Sequence, residues 1–126
     1  MQQDATQRLY EQVQMFNAFA IEAAHMLIRM LFLANGIAAL AVLTMIDVGA
    51  AGAYQAFSSG VIFALAAAAA TYLTHYLCAS TVNAALEGKD YRMRLRGKAV
   101  GHLLAVIFSL LSAGMLFHGI QSFGTE

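Results

Sequence analysis

Apolar side chains fill three windows of the sequence, residues 26–46, 60–80 and 99–120, almost without a break. Between Met30 and Leu86 the only Asp, Glu, Lys or Arg is Asp47, and none occurs from Ala99 to Thr125. A helix of about 20 apolar residues matches a hydrocarbon core roughly 30 Å thick, because its backbone groups satisfy one another where no water can. Each window therefore predicts a transmembrane helix. The expected fold is an all-α membrane protein, a single integral domain over residues 1–126, with spans two and three forming a helical hairpin.

Ahead of the first span the pattern changes from continuous to periodic. Leu9, Val13, Phe16, Ala20, Ala23 and Leu27 alternate at spacings of four and three, the a/d rhythm of a helical seam. No Gly or Pro interrupts residues 1–35. Residues 1–25 thus read as a long amphipathic arm that runs straight into the first span and projects into the cytoplasm. Its seam requires a partner. One candidate is the second hairpin of the same chain, extended past the membrane to a turn at Gly88; the other is the arm of a neighbouring subunit. A membrane-surface helix fits less well, because Arg8 is outnumbered by Asp4, Glu11 and Glu22 and anionic lipid would repel the excess.

Charge sets the orientation. Residues 47–59 hold no Lys or Arg, whereas residues 81–98 hold Lys89, Arg92, Arg94, Arg96 and Lys98 against Glu87 and Asp90. Basic loops stay in the cytoplasm, which predicts an N-terminus inside and a C-terminus outside, as in a bacterial inner membrane. The same five cations are candidates for contact with anionic lipid. Because Arg92, Arg94 and Arg96 alternate with Tyr91, Met93 and Leu95, a helix would spread them over more than one face. Arg29, on one stripe with Glu22 and His25, reads as an anchor at the interface.

Composition narrows the class further. With 126 residues, 60% hydrophobic, and seven bases against seven acids, the chain is too apolar for an ordinary soluble domain. Its zero formal net charge argues against a nucleic-acid partner. The acidic first 25 residues lack the basic start and apolar core of a secretory signal, so no cleaved leader is expected. The lone Cys78 cannot form an internal disulfide.

Two patterns bear on function. Gly97, Gly101, Ala105, Ser109 and Ala113 recur every fourth residue in the third span, and Gly60, Ala64 and Ala68 do so in the second. Small residues at this interval allow helix backbones to approach closely, within the chain or between subunits. The second pattern is a sparse set of polar groups. Asn35 and Thr44 are candidates to line a narrow pore between subunits, with Asp47 at its mouth. His25, His75, His102 and Cys78 fall near one boundary and have the ligand types of a metal or haem site, although no spacing is diagnostic and no cofactor is assigned. His118 lies at the opposite end. Nowhere do a nucleophile, a base and an oxyanion donor gather, so catalysis is not expected. The expected function is that of a non-catalytic accessory or scaffold component, embedded in the lipid bilayer and associating with itself or with another membrane protein. A homo-oligomeric channel or holin-like pore, and a haem- or metal-bearing relay, are the alternatives.

Overall fold

The computed structural model describes residues 2–44, 50–90 and 92–123, with side chains at 2–6, 8–10, 12, 13, 16, 83, 85 and 86 outside the description. Three helices account for all of them but 44, 50 and 87–90: α1 (Gln2–Leu43), α2 (Ala51–Leu86) and α3 (Arg92–Phe123). All three contain stretches long and apolar enough to cross a membrane, Asn17–Leu43, Ala51–Val82 and Arg92–Phe123, and the chain is an all-α membrane protein. The helices run up, down and up. The arm and the α2–α3 turn lie at one end, the turn end, and the α1–α2 connection lies at the far end.

The arm and first span are one uninterrupted 42-residue helix, about 63 Å long at 1.5 Å per residue. The other two helices exceed their expected spans. The region expected to be a basic loop, residues 81–98, is corrected to a short connection, α2 running to Leu86 and α3 starting at Arg92, because Arg92, Met93, Arg94, Leu95, Arg96 and Lys98 are good helix formers and belong to α3. Only Gly88 breaks the pattern. Its φ of 68° is the left-handed conformation that closes a helix. The Lys89 amide then donates to the Ala84 carbonyl at 2.8 Å, the six-to-one bond of a Schellman motif. Asp90 Oδ1 in turn accepts from the Arg92 amide at 3.0 Å, capping α3. Replacing Gly88 with Ala, which must enter the left-handed region, is expected to cost about 1–2 kcal/mol, and Asp90→Ala about 1 kcal/mol. Both losses should appear in SDS unfolding titrations and leave the far end unaffected.

α2 and α3 pair along most of their length, while α1 lies mainly on α2. The reason is visible in α2. Ala53, Phe57, Gly60, Ala64, Ala67 and Thr71 are all buried, at alternating steps of four and three. That seven-residue repeat keeps one stripe facing a partner along a gently coiled pair. At the far end Phe57 packs with Ala39, Val42, Ala50 and Ala53. It also fills the space left by Gly119, where a Cβ would come within 2.5 Å of the ring. Phe63 stacks on Phe108 midway along the hairpin, with centroids 6.4 Å apart.

Candidate functional site

The most deeply buried polar groups meet where all three helices converge. Asn35 of α1 and Ser112 of α3 are both 0% exposed. Asn35 Nδ2 donates to the Leu31 carbonyl at 2.9 Å, and it lies 3.2 Å from Ser112 Oγ and 3.3 Å from the Ser112 carbonyl. The Ser112 hydroxyl passes its own hydrogen to the Gly60 carbonyl of α2 at 2.8 Å. Two of the three acceptors around Nδ2 are carbonyls, which fixes the amide orientation: exchanging its ends would set oxygen against oxygen. Asn35 Oδ1 has no hydrogen-bond partner among the described residues. It points instead at Gly60, where any Cβ would collide with the amide, so the oxygen rests on a glycine hydrogen, a weak contact of a kind that recurs between close helices.

This placement locates the candidate pore residues. Asn35 is inside the three-helix bundle rather than on a face shared between subunits. Thr44 is exposed and returns its hydroxyl to the Ala41 carbonyl of its own helix at 2.7 Å. Asp47 lies outside the described residues.

The small-residue stripes are buried in the bundle only in part. Gly101 and Ala105 are buried and Gly97 and Ser109 half-buried, but Ala113 is exposed; on α2, Gly60 and Ala64 are buried while Ala68 is exposed. A strict four-residue repeat advances about 40° per step around a helix of 3.6 residues per turn, so Gly97 and Ala113 end on nearly opposite faces. The buried stripe of α3 is Gly101, Ala105, Ser112 and Gly119. At Gly101 a Cβ would sit 2.5 Å from Thr74 Oγ1 and 3.6 Å from the Ala70 carbonyl. Reasoning from fours missed Ser112 and Gly119. The signal that finds them is the seven-residue spacing of small residues at 105, 112 and 119.

The five cations of the turn end have different fates. Lys89 pairs with Glu87 at 2.6 Å. Arg94 Nη1 donates to the carbonyl and the hydroxyl of Ser80, each at 2.8 Å, tying α3 back to α2. Arg92 and Arg96 are exposed, and Lys98 is half-buried. Lys98 faces a cleft of about 410 Å³ between α1 and the hairpin, which His75, Cys78 and His102 also line. His25 meets His75 edge to face, with centroids 5.6 Å apart. Among the described residues no three His, Cys, Asp or Glu side chains gather closely enough to hold a metal ion.

The arm supplies the last element. Every arm side chain described from Gln7 to Ala23 is exposed, and the first buried residue among the described side chains of α1 is Ile28. The arm meets the hairpin at its base, where His25 touches His75 and Ala20 and Ala24 border the cleft; Leu9, Val13 and Phe16 of its seam lie outside the described side chains. From Ile28 onward the buried stripe is Ile28, Leu31, Asn35, Ala39 and Val42. The arm's own seam, continued at the same alternation, runs instead through Leu27, Met30, Ala34, Ile37 and Ala41, one residue behind the buried stripe at every position but Ile37, which is two behind. One residue is about 100° of rotation. Leu27, Met30 and Ile37 are accordingly 53%, 62% and 66% exposed. α1 therefore carries two apolar faces, of which the bundle uses one. No protein-family model matches this sequence, and no curated protein and no solved structure matches it either.

Proposed function

We propose that the chain is a non-catalytic accessory or scaffold component of an inner-membrane-type bilayer, with its N-terminus in the cytoplasm, working by helix association. The observation that carries this reading is the second seam of α1. Apolar side chains that face outward within a span need no protein partner, because lipid covers them. The same face continues toward the arm through Ala23 and Ala20, with exposed Phe19 beside it, and at Met15, outside the apolar stretch Asn17–Leu43, an exposed apolar side chain has left the bilayer. A second helix laid along that face buries it over the membrane and cytoplasmic stretches together. The partner is a second copy or another membrane protein. The polar groups support the same reading: among the described residues Asn35, Ser112 and Thr71 are the buried ones, and their hydrogen bonds go to helix carbonyls and to one another.

Cross-linking tests it. In a Cys78→Ser background, Phe19→Cys is expected to give one discrete oxidative cross-linked species in native membranes, a dimer or a defined hetero-adduct. Phe123→Cys, at the far end, serves as the control. A chain that stays monomeric at Phe19→Cys would overturn the proposal.

A further inference from the structure

The cleft between α1 and the hairpin has the walls and charge of a lipid site. Its floor is α2, where Thr71 and Thr74 spend their hydroxyls on the Ala67 and Ala70 carbonyls, at 2.9 and 2.8 Å, and so present their methyl sides. Ile28 and Val106 contribute to the apolar flanks. From Lys98 to Leu110, both lining residues, the cleft follows twelve residues of α3, about 18 Å at 1.5 Å per residue. That is a little more than half of a hydrocarbon core roughly 30 Å thick, the depth of one leaflet. The polar end is not random. Lys98 immediately precedes the uncharged window 99–120, which sets it at headgroup level, and His102 follows one turn deeper. No carboxylate lines the cleft among the described residues, and Lys98 has no ion-pair partner among them. A half-buried, unpaired cation above an apolar slot one leaflet deep is complementary to an anionic head on a hydrocarbon tail.

We propose that this cleft binds one anionic phospholipid, its phosphate at Lys98 and His102 and one acyl chain along α2 and α3 toward Leu110. The site needs only membrane placement, and it borders the outer seam of α1 at Ala20 and Leu27, which line its α1 side. It also separates the cations that a bulk electrostatic contact would treat alike. Lys98 binds the lipid, whereas Lys89 is held by Glu87 and Arg94 by Ser80.

Native mass spectrometry of the full chain, exchanged into micelles with equal phosphatidylglycerol and phosphatidylcholine of identical acyl chains, decides the matter. The expected result is one retained phosphatidylglycerol per chain in preference to phosphatidylcholine. Lys98→Gln should weaken its retention about five-fold, as expected for one cation at a membrane surface, and Lys89→Gln should leave it unchanged. Ala24→Leu, which fills the cleft from the α1 side, should reduce retention of both lipids. Equal retention of the two lipids, or equal loss in Lys98→Gln and Lys89→Gln, would show only a lipid annulus and overturn the proposal. A lipid-free dimer would overturn it too, giving the cleft to a second copy. Should Lys98→Gln fail to fold, the selectivity of the unmodified chain and the Ala24→Leu result still decide.

Discussion

Gly60→Ala is expected to destabilise the bundle by about 1–3 kcal/mol, the usual range for forcing atoms into a packed interior. The added methyl has nowhere to go, because the Asn35 amide already occupies its position and Ser112 holds that amide from the other side. Relief requires Asn35 to swing out of reach of Ser112, which buries an amide without acceptors in an apolar environment. The double variant distinguishes this mechanism from a general effect on α2. In Asn35→Ala/Gly60→Ala the second change removes the colliding group and makes room for the methyl. Its stability should therefore exceed that of Gly60→Ala alone, although Asn35→Ala by itself lowers stability by about 0.6–2 kcal/mol through the lost interhelical bond. SDS titration from dodecylmaltoside micelles, read by energy transfer between labels on α1 and α3, measures all three. Additive losses in the double variant would mean that the clash is not the cause.

The second large effect is expected at Gly101. Leucine there must displace Thr74 and press on the backbone at Ala70, so Gly101→Leu should part α2 from α3 and cost more than about 3 kcal/mol, beyond the usual range for overpacking. Gly114 is the internal control. It lies on the same helix, and nothing stands within 4 Å of where its Cβ would be, so Gly114→Leu should insert, fold and unfold like the parent. Labels on the turn-end halves of α2 and α3 report the separation. Equal behaviour of the two leucine variants would show that helix propensity or membrane insertion, rather than the α2–α3 contact, governs stability.

Much of this architecture was legible in the chain because lipid imposes a strong rule on composition. The three apolar windows, the unbroken helix α1 from Gln2 into the first span and the turn at Gly88 all follow from length, charge and the absence of breakers. What was not legible is rotational. Gly97 through Ala113 are the right residue types for close packing, yet only a continuous account of helical phase shows that Ala113 has turned away while Ser112 has turned in. In a span almost every face is apolar, so hydrophobicity cannot say which side meets a neighbour. Asn35 shows the same limit: an amide at membrane depth announces an interhelical bond, and its partner is one serine among the several that the sequence offers. The charge pattern marks 81–98 as a loop because charge ends a span, but charge does not end a helix.

The hydrogen-bonded meeting of Asn35, Ser112 and Gly60 also sets the assembly register of α1. Most of the surface between α1 and the hairpin is Ala, Leu, Ile and Val, which would accept a helix at several heights. Sliding α1 by one turn, about 5.4 Å, would carry the Asn35 amide away from Ser112 and onto a Cβ-bearing stretch of α2, losing its acceptors in a medium that supplies none. The hairpin, closed by its short capped turn, is thereby a template with one address on it. α1 is read against that address by a single side chain, and everything projecting beyond the bilayer on the arm, including the angle at which its outer seam is displayed, inherits its position from that one match.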